Sequence, residues 1–171
     1  GINELPRSTF RKCKGLTSMV IPSNVLKIGT YTFNGCTSLK TVDLNPEIKL
    51  IGYSSFGNCS SLVNIEIPEN VPEVQSWTFM NCTSLENVKL PSNLQQIGYF
   101  AFSNCTSLKN IALPNTLKKI QEGAFSGCKS FEEVIVPTGL SELSDTVFSD
   151  CTSLKVVSMK DNILKIGRAT F

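Results

Sequence analysis

The chain of 171 residues contains no histidine. The commonest general base, and the usual partner of a nucleophilic serine or cysteine, is therefore missing. Its seven cysteines never stand close together in sequence, so no paired C-x-x-C metal motif is present. Gly29, Gly52, Gly98 and Gly167 occur singly, outside any G-x-x-x-x-G-K phosphate loop. The adjacent acids Glu132 and Glu133 fall in a strand-like stretch, where neighbours face opposite sides. Charge is sparse at 18%, and the formal net charge of +2 implies no general attraction to nucleic acid or anionic membrane. No apolar run approaches the roughly 20 residues of a membrane helix, and no signal peptide is visible. Together these absences argue against an enzyme, a metal or cofactor protein, a nucleic-acid binder and a membrane-inserted segment.

What is present is a period. Cys13, Cys36, Cys59, Cys82, Cys105, Cys128 and Cys151 follow one another at intervals of 23 residues. Phe10, Phe33, Phe56, Phe79, Phe102, Phe125, Phe148 and Phe171 keep the same step. A fixed period of this length marks a solenoid, in which each short unit buries its apolar face only against its neighbours. Counted from the cysteine, the third, sixth and eighth columns are apolar, as in Leu108, Ile111 and Leu113. The last two alternate with variable residues, which is the signature of a strand with one buried face. Pro22, Pro68, Pro91, Pro114 and Pro137 then end the strand, since proline has no N–H for the ladder. Two further apolar columns follow, typified by Leu117 and Ile120, and then a stretch such as Gly98-Tyr99-Phe100-Ala101-Phe102, long enough only for a helical turn.

Before each internal cysteine stands Gly35, Asn58, Asn81, Asn104, Gly127 or Asp150, all types that tolerate positive φ, so a left-handed cap is expected there. Ser38, Ser61, Ser84, Ser107, Ser130 and Ser153 lead into the strands and could satisfy backbone groups in the corner. The expected architecture is an α/β solenoid of about seven repeats, with a parallel sheet on one face and short helical turns or loops on the other. Seven strands would make a sheet roughly 30 Å across. Ile2, Leu5 and Phe10 already fill repeat columns, and the chain stops in mid-repeat at Phe171. Residues 1–171 therefore read as one solenoid segment, uncapped at both ends, from a longer array.

The strand motif Leu108-Lys109-Asn110-Ile111-Ala112-Leu113, followed by Pro114, Ile120, Ala124-Phe125 and Cys128, resembles the BspA-like leucine-rich repeat family across the whole chain. Asn45 and Lys160 depart from the strand-ending proline, Phe131 from leucine, and Val147 from the small residue before phenylalanine. The resemblance implies a cell-surface or secreted protein of bacterial or protist type, with adhesion to host, matrix or cell-surface proteins among the roles of its members.

The cysteine column reads as buried free thiols acting as small hydrophobes, because ladder side chains point in parallel and an odd count leaves one unpaired. Asn58-Cys59-Ser60, Asn81-Cys82-Thr83 and Asn104-Cys105-Thr106 match the glycosylation sequon, yet the repeat itself asks for these residue types. Two surfaces offer themselves to a partner. The sheet face carries Lys40, Thr41, Asp43, Asn64, Glu66, Glu86, Asn87 and Lys89, then Lys109, Asn110, Glu132, Glu133 and Lys155. Mixed charge with amides suits a protein partner and gives no basic stripe for nucleic acid. Ile135 and Val156 are apolar at outward positions of that face and would mark a contact patch. A second strip consists of Tyr31, Tyr53, Trp77, Tyr99 and Phe100, which either anchor an interface or pad the turns over the phenylalanine ladder. The expected function is non-enzymatic protein binding or adhesion through the sheet face. The alternatives are a passive spacer in a surface stalk and an intracellular interaction scaffold, with end-to-end self-association open to either.

Overall fold

The computed structural model describes residues 1–171. The chain winds through turns of 23 residues, and each turn stacks in register on the last: Thr41 pairs with Ser18, and Ile51 with Ile28. All strand pairs are parallel. Every turn has three sides. The first is the expected strand side, formed by β2 (Ser18–Val20), β4 (Thr41–Asp43), β6 (Asn64–Glu66), β8 (Asn87–Lys89), β11 (Glu133–Ile135) and β13 (Val156–Ser158). It is not one continuous sheet. Its ladder closes in pairs, β2–β4, β6–β8 and β11–β13, and residues 110–112 form no strand.

The second side comes from the apolar columns after the proline. Two-residue strands recur there: β1 (Glu4–Leu5), β3 (Lys27–Ile28), β5 (Leu50–Ile51), β7 (Glu73–Val74), β9 (Gln96–Ile97), β10 (Lys119–Ile120), β12 (Glu142–Leu143) and β14 (Lys165–Ile166). The amides of Leu26, Lys49, Gln95 and Lys118 each reach a carbonyl of the preceding turn. Pro72 stands in that column without an N–H, and the ladder breaks there between β5 and β7. Asn45, where a strand-ending proline is missing, substitutes side-chain bonds from its Nδ2 to the carbonyls of Pro22 and Val25 at 2.7 and 2.9 Å.

The third side corrects the expectation of helical turns, and with it the α/β class: the protein has no helix. Two residues in each turn are left-handed. One immediately precedes the cysteine, as expected, with φ of 77° at Gly35, 61° at Asn58 and 59° at Asn104. The other stands five residues before it and was not foreseen: φ is 58° at Tyr31, 58° at Trp77, 51° at Phe100 and 55° at Thr146. A right-handed helix sends every N–H back along its own chain and cannot contain such residues. Here the amides alternate instead. Those of Tyr31, Phe33 and Gly35 cross to carbonyls of the next turn, while those of Thr32, Asn34 and Cys36 close bonds to the residue three back. The crossing bonds, such as Phe79 to Ala101 at 2.8 Å, recur at each rung of the stack. They compensate a left-handed conformation that costs on the order of 1–2 kcal/mol at a residue other than glycine.

The core lies between the three sides as ladders. From Phe10 to Phe171 the rings stack at 5.2–5.7 Å between centroids, with interplanar angles of 2–10°. Each fully buried ring contributes on the order of 2–3 kcal/mol. The cysteines beside them are free, and all but Cys13 are buried. They do more than fill space. The Sγ of Cys59 donates to the carbonyl of Phe33 at 3.2 Å, that of Cys82 to Phe56 at 3.2 Å, and so on to Cys151 and Phe125 at 3.3 Å. Each such carbonyl already accepts the amide of the cysteine in its own turn, so the thiol fills its second lone pair. In the corner, the hydroxyls that bond across turns belong mainly to the residue after the cysteine, namely Ser60, Thr83 and Thr106. Of the serine column proposed for this task, Ser107 alone does so, to Thr83 at 2.7 Å.

Candidate functional site

On the strand side the pleat turns the middle residue of the β-strands inward and its neighbours outward, although in β13 Val157 too remains exposed. In β6 this gives exposed Asn64, buried Ile65 and exposed Glu66. The other outward positions named above behave alike: Lys40, Thr41, Asp43, Glu86, Asn87, Lys89, Lys109, Asn110, Glu132, Glu133 and Lys155 are all exposed. Because register is exact from turn to turn, like columns meet. Asn87 Nδ2 donates to Asn64 Oδ1 at 2.7 Å, and Lys89 Nζ to Glu66 Oε1 at 2.5 Å. Glu66 raises the basicity of Lys89, through this hydrogen bond first and its charge second. Lys155 stands 3.6 Å from Glu132. Both ion pairs lie in solvent and contribute little to stability.

Ile135 and Val156 stand out from this polar surface, 65% and 47% exposed. Ile135 forms the wall between two clefts. One, of 380 Å³, is bounded by Asn110, Ile111, Leu113, Glu133 and Pro137, where residues 110–112 leave the ladder. The other, of 550 Å³, is bounded by Val136, Thr138, Val157 and Met159. Sequence reasoning missed Val20, which is 69% exposed in the same outward column as Asp43, Glu66 and Ile135. Its column position could have identified it.

The aromatic strip forms a second ladder outside the phenylalanines. Tyr31 packs edge-on against Tyr53 at 5.4 Å, Tyr53 against Trp77 at 4.8 Å, and Trp77 against Tyr99 and Phe100 at 6.5 and 6.1 Å. Tyr31, Tyr53, Trp77 and Phe100 are half-buried, and Tyr99 is exposed. Burial, assisted by the neighbouring Tyr31, pushes the Tyr53 hydroxyl up from its ordinary pKa. The strip ends on Gly123, where a Cβ would sit 2.2 Å from Cε1 of Phe100. The rings cover the turns over the phenylalanine ladder and remain partly exposed.

Asn58, Asn81 and Asn104 form a third ladder. Asn81 Nδ2 donates to Asn58 Oδ1 at 2.9 Å, and Asn104 Nδ2 to Asn81 Oδ1 at 3.0 Å. The nitrogen that would carry a glycan is thus engaged at two of the three sequons, and the stacking of the repeat explains these residues. No helix long and apolar enough to cross a membrane is present.

Stacked turns with a parallel strand ladder on one side and apolar columns within define a leucine-rich repeat solenoid. More narrowly, the family model for the BspA type leucine rich repeat region matches residues 3–105 and 78–171, in six copies. The chain belongs to the BspA-type leucine-rich repeat family. It is 32% identical to the leucine-rich repeat protein of T. pallidum, over 96% of this chain and 77% of that one, with a TM-score of 0.86. A leucine-rich repeat protein from Eubacterium ventriosum superposes with a TM-score of 0.77 at 24% identity, over 88% of this chain and 41% of that one. A leucine rich cell surface protein from Faecalibacterium prausnitzii shares the fold at a TM-score of 0.52 and 19% identity, over 92% of this chain and 63% of that one. No curated protein matches the sequence significantly.

Proposed function

We propose that the chain is a non-enzymatic recognition module of a cell-surface or secreted protein, binding a protein of host, matrix or neighbouring cell through its strand side. The observation that carries this reading is the grouping of exposed Ile135 and Val156 with two clefts on an otherwise polar face. An apolar centre ringed by Asn110, Glu133 and Lys155 has the composition of a protein interface, with anchors inside and a polar rim. Membership in a family of repeat proteins, and the surface description of the F. prausnitzii neighbour, support an external location. The test is a screen of the purified chain against extracellular-matrix, plasma and cell-surface proteins. It is followed by the combined variant Glu66→Lys, Lys89→Glu, Lys109→Glu and Glu133→Lys. The expected outcome is a saturable ligand whose affinity falls at least tenfold, about 1.4 kcal/mol, in the variant. Unchanged affinity contradicts the strand-side assignment.

A passive spacer is the second reading, favoured by the internal pairing of Lys89 with Glu66 and Lys155 with Glu132, which leaves less charge for a partner.

A further inference from the structure

Arg7, Arg11, Lys12 and Lys14 bring four cations into eight residues without an acid among them. All four are exposed. The ion pairs of the protein join Lys89 to Glu66, Lys155 to Glu132, Lys165 to Glu142 and Arg168 to Asp145, so none engages this cluster. Three of its cations nonetheless have defined neighbours. The guanidinium carbons of Arg7 and Arg11 lie 5.4 and 5.2 Å from the centroid of one ring, Tyr31. The Lys12 stem runs beside Gly35, its Cγ 3.2 Å from where a Cβ would stand. A guanidinium over a ring uses its flat face for the contact and keeps its edge of N–H donors for an oxyanion. Later turns mostly place threonine, serine, tyrosine, asparagine or glycine in these columns. Glu122, Asp145 and Asp150 reverse the charge there, and only Lys129 and Arg168 repeat a cation, so the repeat itself does not require the charges.

We propose that this cluster binds a sulfated polysaccharide, which continues from it along the turn side. Sulfate esters match the paired, solvent-facing guanidinium edges. Beyond Tyr31, the same side offers Tyr53, Trp77 and the Asn58–Asn81–Asn104 amides at every rung, where a polymer can be met by hydroxyl, ring edge and amide in turn. Charge separates this ligand from a nucleic acid. Toward the far end of the turn side, near Tyr99, Lys165 and Arg168 are paired with Glu142 and Asp145, and Glu122 is left over. A strand with a phosphate at each nucleotide would therefore meet no surplus of cations there. A polysaccharide can confine its sulfates to the basic end. This site lies on a different side from the proposed protein interface and does not depend on it.

The test is binding of the full chain to heparin, chemically desulfated heparin, hyaluronan and oligodeoxythymidylate across a salt series. The informative variant combines Arg7→Thr, Arg11→Ser, Lys12→Asn and Lys14→Thr, each residue taken from the same column of a later turn so that the fold is retained. A control changes Lys49, Lys118, Lys119 and Lys160 to glutamine, removing equal charge elsewhere. The expected result is salt-sensitive binding to heparin, weakened about tenfold or more in the variant with a shallower salt dependence, and retained in the control. Binding to the desulfated and carboxylate-only polymers should be weaker than to heparin. Any of four results overturns the proposal: no binding to heparin at physiological salt, equal affinity in the variant, an equal loss in the control, or binding to desulfated heparin, hyaluronan or oligodeoxythymidylate as tight as to heparin.

Discussion

The turn side and the strand side of each circuit are built from the same number of chain passes but are held differently. On the turn side, the residue five before the cysteine and the phenylalanine send their amides to the next circuit at each rung. Behind them the phenylalanine rings form one unbroken stack, and six thiols donate to phenylalanine carbonyls. On the strand side the ladder closes in pairs, and no backbone carbonyl accepts from the amides of residues 109–113. Cohesion therefore resides in irregular turns, and the regular secondary structure is the looser part. The less committed backbone lies on the side that carries exposed Ile135 and the two clefts, where the protein interface is proposed.

Alkali should break the comparison most strongly, because the buried thiols all lie at the turn-side ladder. Burial first, against an opposing hydrogen bond from the backbone, pushes Cys82 up to about 12 and Cys151 up to about 11, from an ordinary 9.0. Below pH 9 the thiol is protonated in folded and unfolded chains alike, and pH has no effect through it. Above that, the unfolded chain releases the proton and the folded chain keeps it, so stability falls by about 1.4 kcal/mol per thiol per pH unit until the folded value is reached. Denaturant titrations from pH 8 to 11 should show a steep loss, made shallower by Cys82→Ala. A flat profile would mean that the thiols are not held as described.

Next in size are truncations. Phe79→Ala opens a cavity in the stack and should cost about 3–5 kcal/mol. Val88→Ala, at a half-buried position of β8, should cost about 1–2 kcal/mol. Equal losses by chemical denaturation would remove the distinction between the sides. The smallest effect is a flaw within the turn side. Ser55 Oγ is buried without a partner, whereas Thr32 and Thr78 in its column bond the carbonyl three residues back at 2.7 Å. Ala101 and Ala124 fill that column later in the chain. Ser55→Ala should therefore be neutral or stabilising by up to about 1 kcal/mol, read as a shift of the unfolding midpoint.

Much of this was legible in the residues. The period, the parallel stacking, the phenylalanine and cysteine columns and the left-handed residue before each cysteine follow from spacing and from residue types with one conformational use, such as Gly35 and Asn58. The second left-handed position was not legible, because it holds Tyr31, Ser54, Trp77, Phe100, Thr146 and Ala169, whose side chains carry no such signal. There the crossing hydrogen bonds impose the backbone, and the same fact turned an expected helix into alternating turns. The two-residue strands were hidden for a related reason, since an apolar column such as Ile28, Ile51 and Ile97 looks the same in a loop. Of the candidate site, the outward positions of the strand side could be counted from the cysteine. The clefts could not, because they depend on where the ladder opens. The stacking of Arg7 and Arg11 on Tyr31 was equally hidden, since it joins residues up to 24 apart that only the circuit brings together.

The most direct test of the central claim is native-state hydrogen exchange resolved to single amides. The account predicts that Phe33, Phe56, Phe79, Phe102 and Phe125, whose amides cross between circuits, exchange slowest, and that residues 109–113 exchange far faster. Protection of residues 109–113 equal to that of the phenylalanines would contradict it.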